Sequence, residues 1–384
     1  MINSTHAPVL PRLFVGRAER TVRELLERAD VQVGGTRPQD IQVHDPGFYS
    51  RVLRDGRLGL GDSYIDGQWD SGALDELTDK LLRANLEEQI HDWRTLLHVA
   101  AARVLNLQSP ARAFQAGERH YDIGNDLYGA MLGESWSYTC GYWQNASTLD
   151  EAQRAKLDLV CRKLGLRPGM KVLELGCGWG TFARHAATHY GVEVTGYTVS
   201  KEQVALGRRL CQGLPIDLRL ADYRQAEGTF DAVVSIGMME HVGYKNHRTF
   251  MRTIDRCLAP LGIALVHTIG SNRSETLIDG WFEKHLFPNA LIPSLAQIAG
   301  AAEGLFTIED VHNIGPHYDR TLLSWHANFE RAWPTLAPRY GERFRRMWRY
   351  YLLSSAGGFR ARFMQLYQLV LTRPGTPQPD CRLK

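Results

Sequence analysis

Apolar residues recur at two spacings along the chain, and between residues 172 and 269 the two spacings alternate regularly. The strand-like apolar runs are 172–175, 193–197, 216–220, 231–236 and 262–269. Stretches of helical spacing separate them, at 181–190, 201–212 and 247–258. Strands that alternate with helices predict a parallel sheet covered by helices. Two later apolar runs, 306–311 and 362–372, extend the predicted sheet to seven strands.

The first 85 residues follow a different pattern. Apolar positions at helical spacing cover residues 17–29, and a second helix is predicted over 48–53. Alternation around Val31–Val33 and Ile41–Val43, on either side of a Gly-Gly-Thr-Arg-Pro turn, predicts two short strands. The glycine-rich stretch 56–69 contains Leu, Tyr, Ile and Trp, which predicts a packed irregular segment. Residues 1–85 therefore read as a small α+β domain.

A helical stripe of apolar positions over residues 86–105 predicts an amphipathic helix that connects this domain to the rest. We expect a helical linker over 86–110 and a catalytic domain over 111–384. The aromatic-rich stretch 271–293 is too irregular for one more element and predicts a lid or substrate-channel insertion. No apolar run approaches the ~20 residues that cross a bilayer, and no signal segment is evident, so any membrane contact is expected to be peripheral.

Charge and cysteine content narrow the possible partners. The net charge of +3 and the pI near 8.5 are too weakly basic for a dedicated nucleic-acid binder and fit a membrane surface better. Six scattered cysteines without Cys-x-x-Cys pairs predict reduced thiols in a cytoplasm. His185 and His189 have the spacing of a metal-binding pair, but Ala186 stands where a zinc protease carries glutamate. No metal site is predicted.

Three closely spaced glycines, Gly176, Gly178 and Gly180, follow an apolar strand that carries Glu174. Glycine allows a sharp turn and a close approach to a ligand, so the loop is a candidate cofactor site. It lacks the six-residue dinucleotide fingerprint and the Gly-Lys-Ser/Thr of a triphosphate loop. The alternative interpretation is a tight strand-to-helix turn in any doubly wound domain.

The ends of the next two strands indicate which cofactor fits. The stretch Gly196–Gln203 presents the Thr198 hydroxyl where an NAD site would carry an acid, which weakens the nicotinamide interpretation. Asp222 and Tyr223 follow the third strand and offer an acceptor for an adenine amino group and a ring to pack near the base. The alternative for these two is an exposed turn acid and a rim tyrosine.

Five sequence motifs together resemble those of one particular enzyme family. They are Glu118–Leu127, Tyr138–Trp143, Leu173–Gly180, Gly237–Val242 and His267–Gly270. Together with the late segment Ser355–Arg362, they resemble the bacterial cyclopropane-fatty-acyl-phospholipid synthases over nearly the whole chain. The resemblance implies a class I methyltransferase, Rossmann-like α/β fold with a seven-stranded, mostly parallel sheet. Two departures are Thr139, where the family usually has serine, and Ser355, where cysteine is common.

The resemblance implies S-adenosylmethionine as co-substrate. Its candidate contacts are Tyr138, Thr139, Glu174, Gly176, Gly178, Thr198, Gln203, Asp222 and Tyr223. Methyl transfer to a cis alkene leaves a carbocation, for which Tyr121, Tyr142, Trp143 and Tyr318 are candidate aromatic walls. Ring closure needs a base, and the resemblance implies a bound bicarbonate. The matching positions are Cys140, Glu240, His267 and Tyr318, with backbone groups at Gly237 and Ile269.

The partners implied by the resemblance are membrane phospholipids with unsaturated acyl chains. The enzyme would be a homodimer that contacts the inner membrane peripherally from the cytoplasm. One alternative is a related methyltransferase that leaves an unclosed methyl or hydroxyl on the lipid. Another is a lipid-binding cofactor sensor without activity, whose expected signature is loss of Glu240 or Tyr318; both residues are present.

Overall fold

A seven-stranded sheet is the centre of this computed structural model, which describes residues 11–86, 123–276 and 278–383. Its strands are β3 (Lys171–Leu175), β4 (Glu193–Thr198), β5 (Ile216–Leu220), β6 (Phe230–Ile236), β7 (Leu258–Ser271), β8 (Thr307–Asn313) and β9 (Met364–Thr372). The order across the sheet is β5-β4-β3-β6-β7-β9-β8. Strands β3 to β7 are parallel, and β9 runs antiparallel to both β7 and β8. The predicted seven-stranded, mostly parallel sheet is confirmed.

Helices cover both faces of this sheet. They are α4 (Asn125–Leu132), α5 (Leu149–Lys163), α6 (Thr181–Tyr190), α7 (Lys201–Leu210), α8 (His247–Cys257), α9 (Gly280–His285), α10 (Leu295–Ala302) and α11 (Pro316–Arg360). Successive strand residues point to opposite faces: Val233 packs with α8 and α10, whereas Val234 packs with α5 and α6. Burial on both sides explains why the central strands β3 and β6 are almost continuously apolar.

Helix α11 is an element that the sequence patterns did not indicate. It spans 45 residues and bends at Gly341, whose φ is +73°. Pro334 and Pro338 lie inside it, and prolines ordinarily mark a helix end. The helix buries Trp325, Trp333 and other aromatic residues in a cluster beside the sheet. Tertiary packing therefore holds a helix where local sequence signals predict a break.

The amino-terminal region is mostly helical. It contains α1 (Pro11–Arg28), α2 (Gly47–Ile65) and α3 (Leu74–Arg83), with a pair of two-residue strands, β1 (Gln42–Val43) and β2 (Trp69–Asp70). The predicted strand at Val31–Val33 is reduced to a single bridge between Val33 and Ile41. These elements enclose a core of their own that includes Phe48 and Trp69.

The irregular segment predicted over residues 56–69 is wrong. Helix α2 consists of two helical segments that meet at the non-helical residue Gly56, whose φ is +56°, and the second segment continues to Ile65. A Cβ at Gly59 would collide with the carbonyl oxygen of Arg51, and one at Gly61 would collide with the Trp281 ring. These glycines serve close packing rather than loop formation, which explains why their number misled the prediction.

Two further expectations concern segments outside the sheet. The predicted helix over 86–105 and the predicted boundary near residue 110 lie outside the described residues, so the domain limits stay predictions. The stretch 271–293 contains the short helix α9, which the prediction of an element-free insertion missed. Within the described ranges, no helix has both the length and the apolar character needed to cross a bilayer.

Candidate functional site

A pocket opens at the carboxyl ends of β3, β4, β5 and β6, where ligands bind in open α/β sheets. Its cavity volume is about 180 Å³. All nine predicted cofactor residues line it: Tyr138, Thr139, Glu174, Gly176, Gly178, Thr198, Gln203, Asp222 and Tyr223. Residues from four separate chain segments, 138–139, 174–178, 198–203 and 222–223, are thus brought together at one place.

The glycine loop has the backbone geometry that its sequence predicted. Gly176 has a φ of +83°, and a Cβ there would lie 2.8 Å from Met238 Cβ. Gly178 has a φ of +53°, and the nearest side-chain atom to a Cβ there would be Gln203 Nε2, at 4.0 Å. Gly176 is therefore required by packing as well as by conformation, whereas Gly178 leaves open space beside the pocket.

Glu174 combines a structural bond with an unpaired oxygen. Its carboxyl accepts the backbone N–H of Ala183, in the first turn of α6. The side chain is buried, and burial raises its pKa to about 8. Oε2 has no hydrogen-bond partner among the described residues. A buried acceptor without a donor fits a pocket that receives a ligand cation or N–H group.

Thr198 and Gln203 form one unit at the start of α7. The Thr198 hydroxyl donates to Gln203 Oε1 at 2.9 Å, and Ser200 caps the helix by accepting the N–H of Gln203. Because the oxygen of the Gln203 amide is held by Thr198, its Nε2 group is the end that lies toward Gly178. The pair presents an amide donor to the glycine loop.

Asp222 and Tyr223 are both buried, which contradicts their alternative interpretation as an exposed turn acid and a rim tyrosine. Asp222 caps a single 3-10 turn by accepting the N–H of Arg224 at 2.9 Å, and it pairs with the Arg224 guanidinium at 3.1 Å. This guanidinium also lies over the Tyr223 ring, 4.9 Å from its centroid. Arg224 lines the same pocket and was not predicted.

The loop that carries Tyr138 and Thr139 is held by two buried polar residues of α5. Gln153 donates to the carbonyl oxygen of Thr139 at 2.7 Å. Lys156 donates to the hydroxyls of Ser137 and Thr139, each at 2.8 Å. Sequence reasoning missed both residues. The signal was available: positions 153, 156, 157 and 160 form one helical face, on which two polar side chains accompany two apolar ones.

The predicted base site lies beside this pocket, where β6 and β7 end. The N–H of Gly237 donates to the carbonyl oxygen of His267 at 2.8 Å, and the N–H of Ile269 donates to Glu240 Oε1 at 2.6 Å. These two bonds connect four of the six predicted residues. They also occupy both amide groups, and the carbonyl oxygen of Ile269 accepts the Thr268 hydroxyl at 3.1 Å.

The side chains of Glu240 and His267 each retain one polar atom without a partner in the described part of the chain, Oε2 and Nε2. Burial raises the pKa of Glu240 to about 7 and lowers that of His267 well below its usual range. Gln368 Nε2 lies 3.3 Å from His267 Nδ1 and donates to it, which assigns the imidazole proton to Nε2. The site therefore offers an N–H donor and a carboxyl oxygen.

Cys140 and Tyr318 belong to an apolar cluster that also contains Ile269. The Cys140 thiol is fully buried and donates to the carbonyl oxygen of Gly141 at 3.1 Å. Burial raises its pKa, so the thiol stays protonated and is a poor nucleophile. The Tyr318 ring packs against Phe359 at a centroid distance of 4.6 Å.

The other three aromatic residues that were predicted to face the carbocation differ in their surroundings. Tyr121 lies outside the described residues. The guanidinium of Arg320 lies 4.2 Å from the centroid of the Trp143 ring, so a protein cation already covers one face of that ring. Tyr142 packs against His317 at 4.8 Å. The described residues contain no group of three His, Cys, Asp or Glu side chains arranged for a metal, and all six cysteines are free and buried.

One contact joins the cofactor pocket to the base site. Gly237 has a φ of +69°, and a Cβ there would lie 2.7 Å from Thr139 Cγ2. Thr139 belongs to the predicted cofactor residues and Gly237 to the predicted base site. The two sets, which were assigned separately, are adjacent in the structure.

Comparison with known proteins agrees with this arrangement. Residues 108–369 match the family model described as mycolic acid cyclopropane synthetase. The cyclopropane-fatty-acyl-phospholipid synthase of Escherichia coli K12 is 48% identical, over 92% of this chain and 93% of that protein. A probable fatty acid methyltransferase of Pseudomonas putida is 31% identical, over 88% and 89% of the two chains. The structure of mycolic acid cyclopropane synthase CmaA1 with SAH and CTAB is 30% identical, with a TM-score of 0.62, over 68% of this chain and 98% of that one.

Proposed function

The chain belongs to the mycolic acid cyclopropane synthetase family, and on that premise we propose that it is a cyclopropane-fatty-acyl-phospholipid synthase. It transfers a methylene from S-adenosylmethionine across the cis double bond of unsaturated acyl chains in membrane phospholipids. The observation that carries the proposal is the contact between Thr139 and Gly237, because it makes the cofactor pocket and the base site one continuous centre.

The pocket residues fit the parts of this co-substrate. Asp222 and Tyr223 would hold the adenine end, the glycine loop would approach the ribose, and Glu174 would face the amino group of the methionine end. The unpaired Oε2 of Glu174 supports this fit, since an ammonium group would satisfy it. The bound sulfonium supplies an electrophilic methyl group.

The protein's main task is to hold a weak nucleophile in line with that methyl group. Correct positioning of reactants contributes about 7 kcal/mol or more in favourable cases. The carbocation that follows must be kept from water, and the aromatic cluster around Tyr138, Trp325, Tyr318 and Phe359 supplies an apolar wall with ring faces.

Ring closure requires loss of a proton from the newly attached methyl. We infer that bicarbonate binds between Glu240 and His267 and supplies the base. The Nε2–H group of His267 would donate to it, and the free carboxyl oxygen of Glu240 would accept its hydroxyl proton. Two buried polar atoms of opposite hydrogen-bonding character fit an anion that carries one O–H group.

The amino-terminal residues 1–85 are proposed to dock the enzyme peripherally on the cytoplasmic face of the membrane and to support a homodimer. Ion pairs with neighbouring acids engage Arg23, Arg51, Arg54 and Arg57. The charge available for anionic lipid is therefore smaller than the number of arginines suggests, and docking must depend on where the remaining arginines lie. Loss of turnover on vesicles after deletion of 1–85, with cofactor binding retained in a folded protein, is the expected result.

Lipid mass spectrometry with alkene-specific derivatisation tests the activity, after expression in a host that lacks cyclopropane lipids. We expect acyl chains that have gained one methylene and no longer react as alkenes. Methylated chains that keep the alkene would instead support a fatty acid methyltransferase, the activity named for the Pseudomonas putida relative. Unmodified lipids with intact cofactor binding would support a sensor and refute the proposal.

A further inference from the structure

Lys156 is a buried lysine whose charge has no role in the reaction described so far. It lies on α5, is 1% exposed, and lines the cofactor pocket. Burying an ammonium group is costly unless other groups compensate it. Burial lowers its pKa to about 8, while the nearby Glu174 opposes that change. A buried cation at the wall of a pocket is a candidate for ligand recognition.

The hydrogen bonds of Lys156 determine the direction of two others. An ammonium group only donates, so the oxygens of Ser137 and Thr139 must both accept from it, each at 2.8 Å. These two oxygens are 3.4 Å apart, so one hydroxyl can donate to the other. One hydroxyl proton then remains without an acceptor in this pair. Thr139 is the more accessible of the two, which directs that proton into the pocket.

The surroundings of Lys156 favour an amino acid zwitterion. Glu174 presents the unpaired oxygen Oε2, whereas Lys156 and the Thr139 hydroxyl present donors. The methionine end of the proposed co-substrate carries one ammonium group and one carboxylate group. The ammonium group would favour the ionised form of Glu174 and donate to its Oε2, and the carboxylate would accept from the donor side of the pocket.

We propose that Lys156 is a positioning residue that turns the Thr139 hydroxyl into a donor for the carboxylate of the cofactor's amino acid end. This inference rests on the proposed use of S-adenosylmethionine. It assigns to α5 the recognition of the amino acid portion, separately from the adenine contacts at Asp222 and Tyr223. Gln153 supports the same loop through the carbonyl oxygen of Thr139.

Two ligands that differ only in the amino acid portion test the proposal by calorimetry. S-adenosylhomocysteine has the amino and carboxylate groups, and 5′-methylthioadenosine lacks them. We expect Lys156→Met to weaken binding of S-adenosylhomocysteine by about 10- to 100-fold, as for a lost hydrogen bond to a charged group, and to leave methylthioadenosine affinity unchanged. Lys163→Met is the matched control, because Lys163 is a buried lysine on the same helix that pairs with Asp310 at 3.1 Å. It should change neither affinity.

A second variant tests whether Lys156 acts through the hydroxyl. Thr139→Val should produce the same selective loss with the lysine intact, and adding it to Lys156→Met should cost little more. If Lys156→Met does not fold, Lys156→Gln takes its place, because a neutral amide keeps a polar group at the site but no longer forces both hydroxyl oxygens to accept. Equal weakening of both ligands, or unchanged binding of S-adenosylhomocysteine, would overturn the proposal.

Bicarbonate is the alternative anion for a donor cluster at this place, so the bicarbonate requirement of turnover is measured in the same variants. A raised bicarbonate requirement with unchanged S-adenosylhomocysteine affinity would assign Lys156 to the base site and also overturn the proposal. Failure of the proposed function is distinguishable. A wild-type protein that shows the ligand selectivity but forms no cyclopropane refutes the activity and leaves the role of Lys156 standing.

Discussion

Replacing Glu240 with glutamine alters one atom of a buried side chain. The substitution therefore tests the role of this carboxyl group in catalysis while the protein still folds. Oε1 accepts the N–H of Ile269 at 2.6 Å, and a glutamine oxygen preserves that bond. The change falls on Oε2, which becomes an NH₂ group that only donates. We expect turnover to fall by about 10²- to 10⁴-fold, the usual contribution of a positioned proton-transfer system. Cofactor affinity should be retained, since Glu240 does not line that pocket.

The same substitution should change how stability depends on pH. Burial raises the pKa of Glu240 from 4.5 to about 7, so the folded protein keeps a proton there that the unfolded chain has released. The free energy of unfolding of the wild type therefore decreases as pH rises through this interval, by at most about 1.4 kcal/mol per pH unit. Glutamine does not titrate. Relative to wild type, the variant should gain on the order of 2–3 kcal/mol of stability between pH 5 and pH 8.

Denaturant unfolding at several pH values, together with turnover on unsaturated vesicles, measures both effects. Glu342→Gln controls for the loss of one negative charge, because that side chain is 64% exposed. Stability curves for the variant and the wild type that stay parallel from pH 5 to pH 8 would contradict the raised pKa of the buried Glu240 carboxyl. Near-normal turnover would refute the assignment of Glu240 to the base site.

Three further substitutions test how the surrounding structure supports this centre. Asp62→Asn should lower the free energy of unfolding by about 1–3 kcal/mol and make the 271–293 segment sensitive to protease. The reason is that Asp62 is buried and binds Lys284 and His285 of α9. Asp217→Asn is the control, because Asp217 pairs with Arg219 at an exposed site. Gly357→Ala should displace α3, since a Cβ there would collide with the Asp75 carbonyl oxygen. Turnover on vesicles should fall, while S-adenosylhomocysteine should still bind. Gly16→Ala is the control and should leave turnover unchanged, because a Cβ at Gly16 would lie in open space. Thr148→Ala should lower the free energy of thermal unfolding by about 0.5–2 kcal/mol, because it removes the capping box of α5. A smaller loss of stability would show that packing alone holds that helix.

The central strands of the sheet could be predicted from the sequence because they are buried on both faces. A strand with two buried faces reads as an apolar run with clear ends, and the predicted runs 172–175 and 231–236 lie within one residue of the limits of β3 and β6. The glycine loop could be predicted for a similar reason, since positive φ at Gly176 and Gly178 requires a residue type that the sequence shows directly.

What could not be predicted depends on contacts between distant segments. Helix α11 contains two prolines, and it is held by aromatic packing that no local pattern reveals. Gly59 and Gly61 looked like loop residues because the atoms they make room for lie on other turns or on α9. Lys156 looked like an ordinary helix lysine, since its hydroxyl partners come from a loop 17 and 19 residues earlier.

The position of β9 has a consequence for how the chain is made. This strand lies between β7 and β8, yet it is the last strand to be synthesised. Until residues 364–372 have left the ribosome, β7 presents an unpaired edge of apolar residues, of the kind that other chains can pair with. Because α3 packs on α11, just before β9, the amino-terminal region also waits for late-made partners. Completion of the catalytic sheet therefore waits for the synthesis of β9, and the open edge of β7 is exposed to other chains until then.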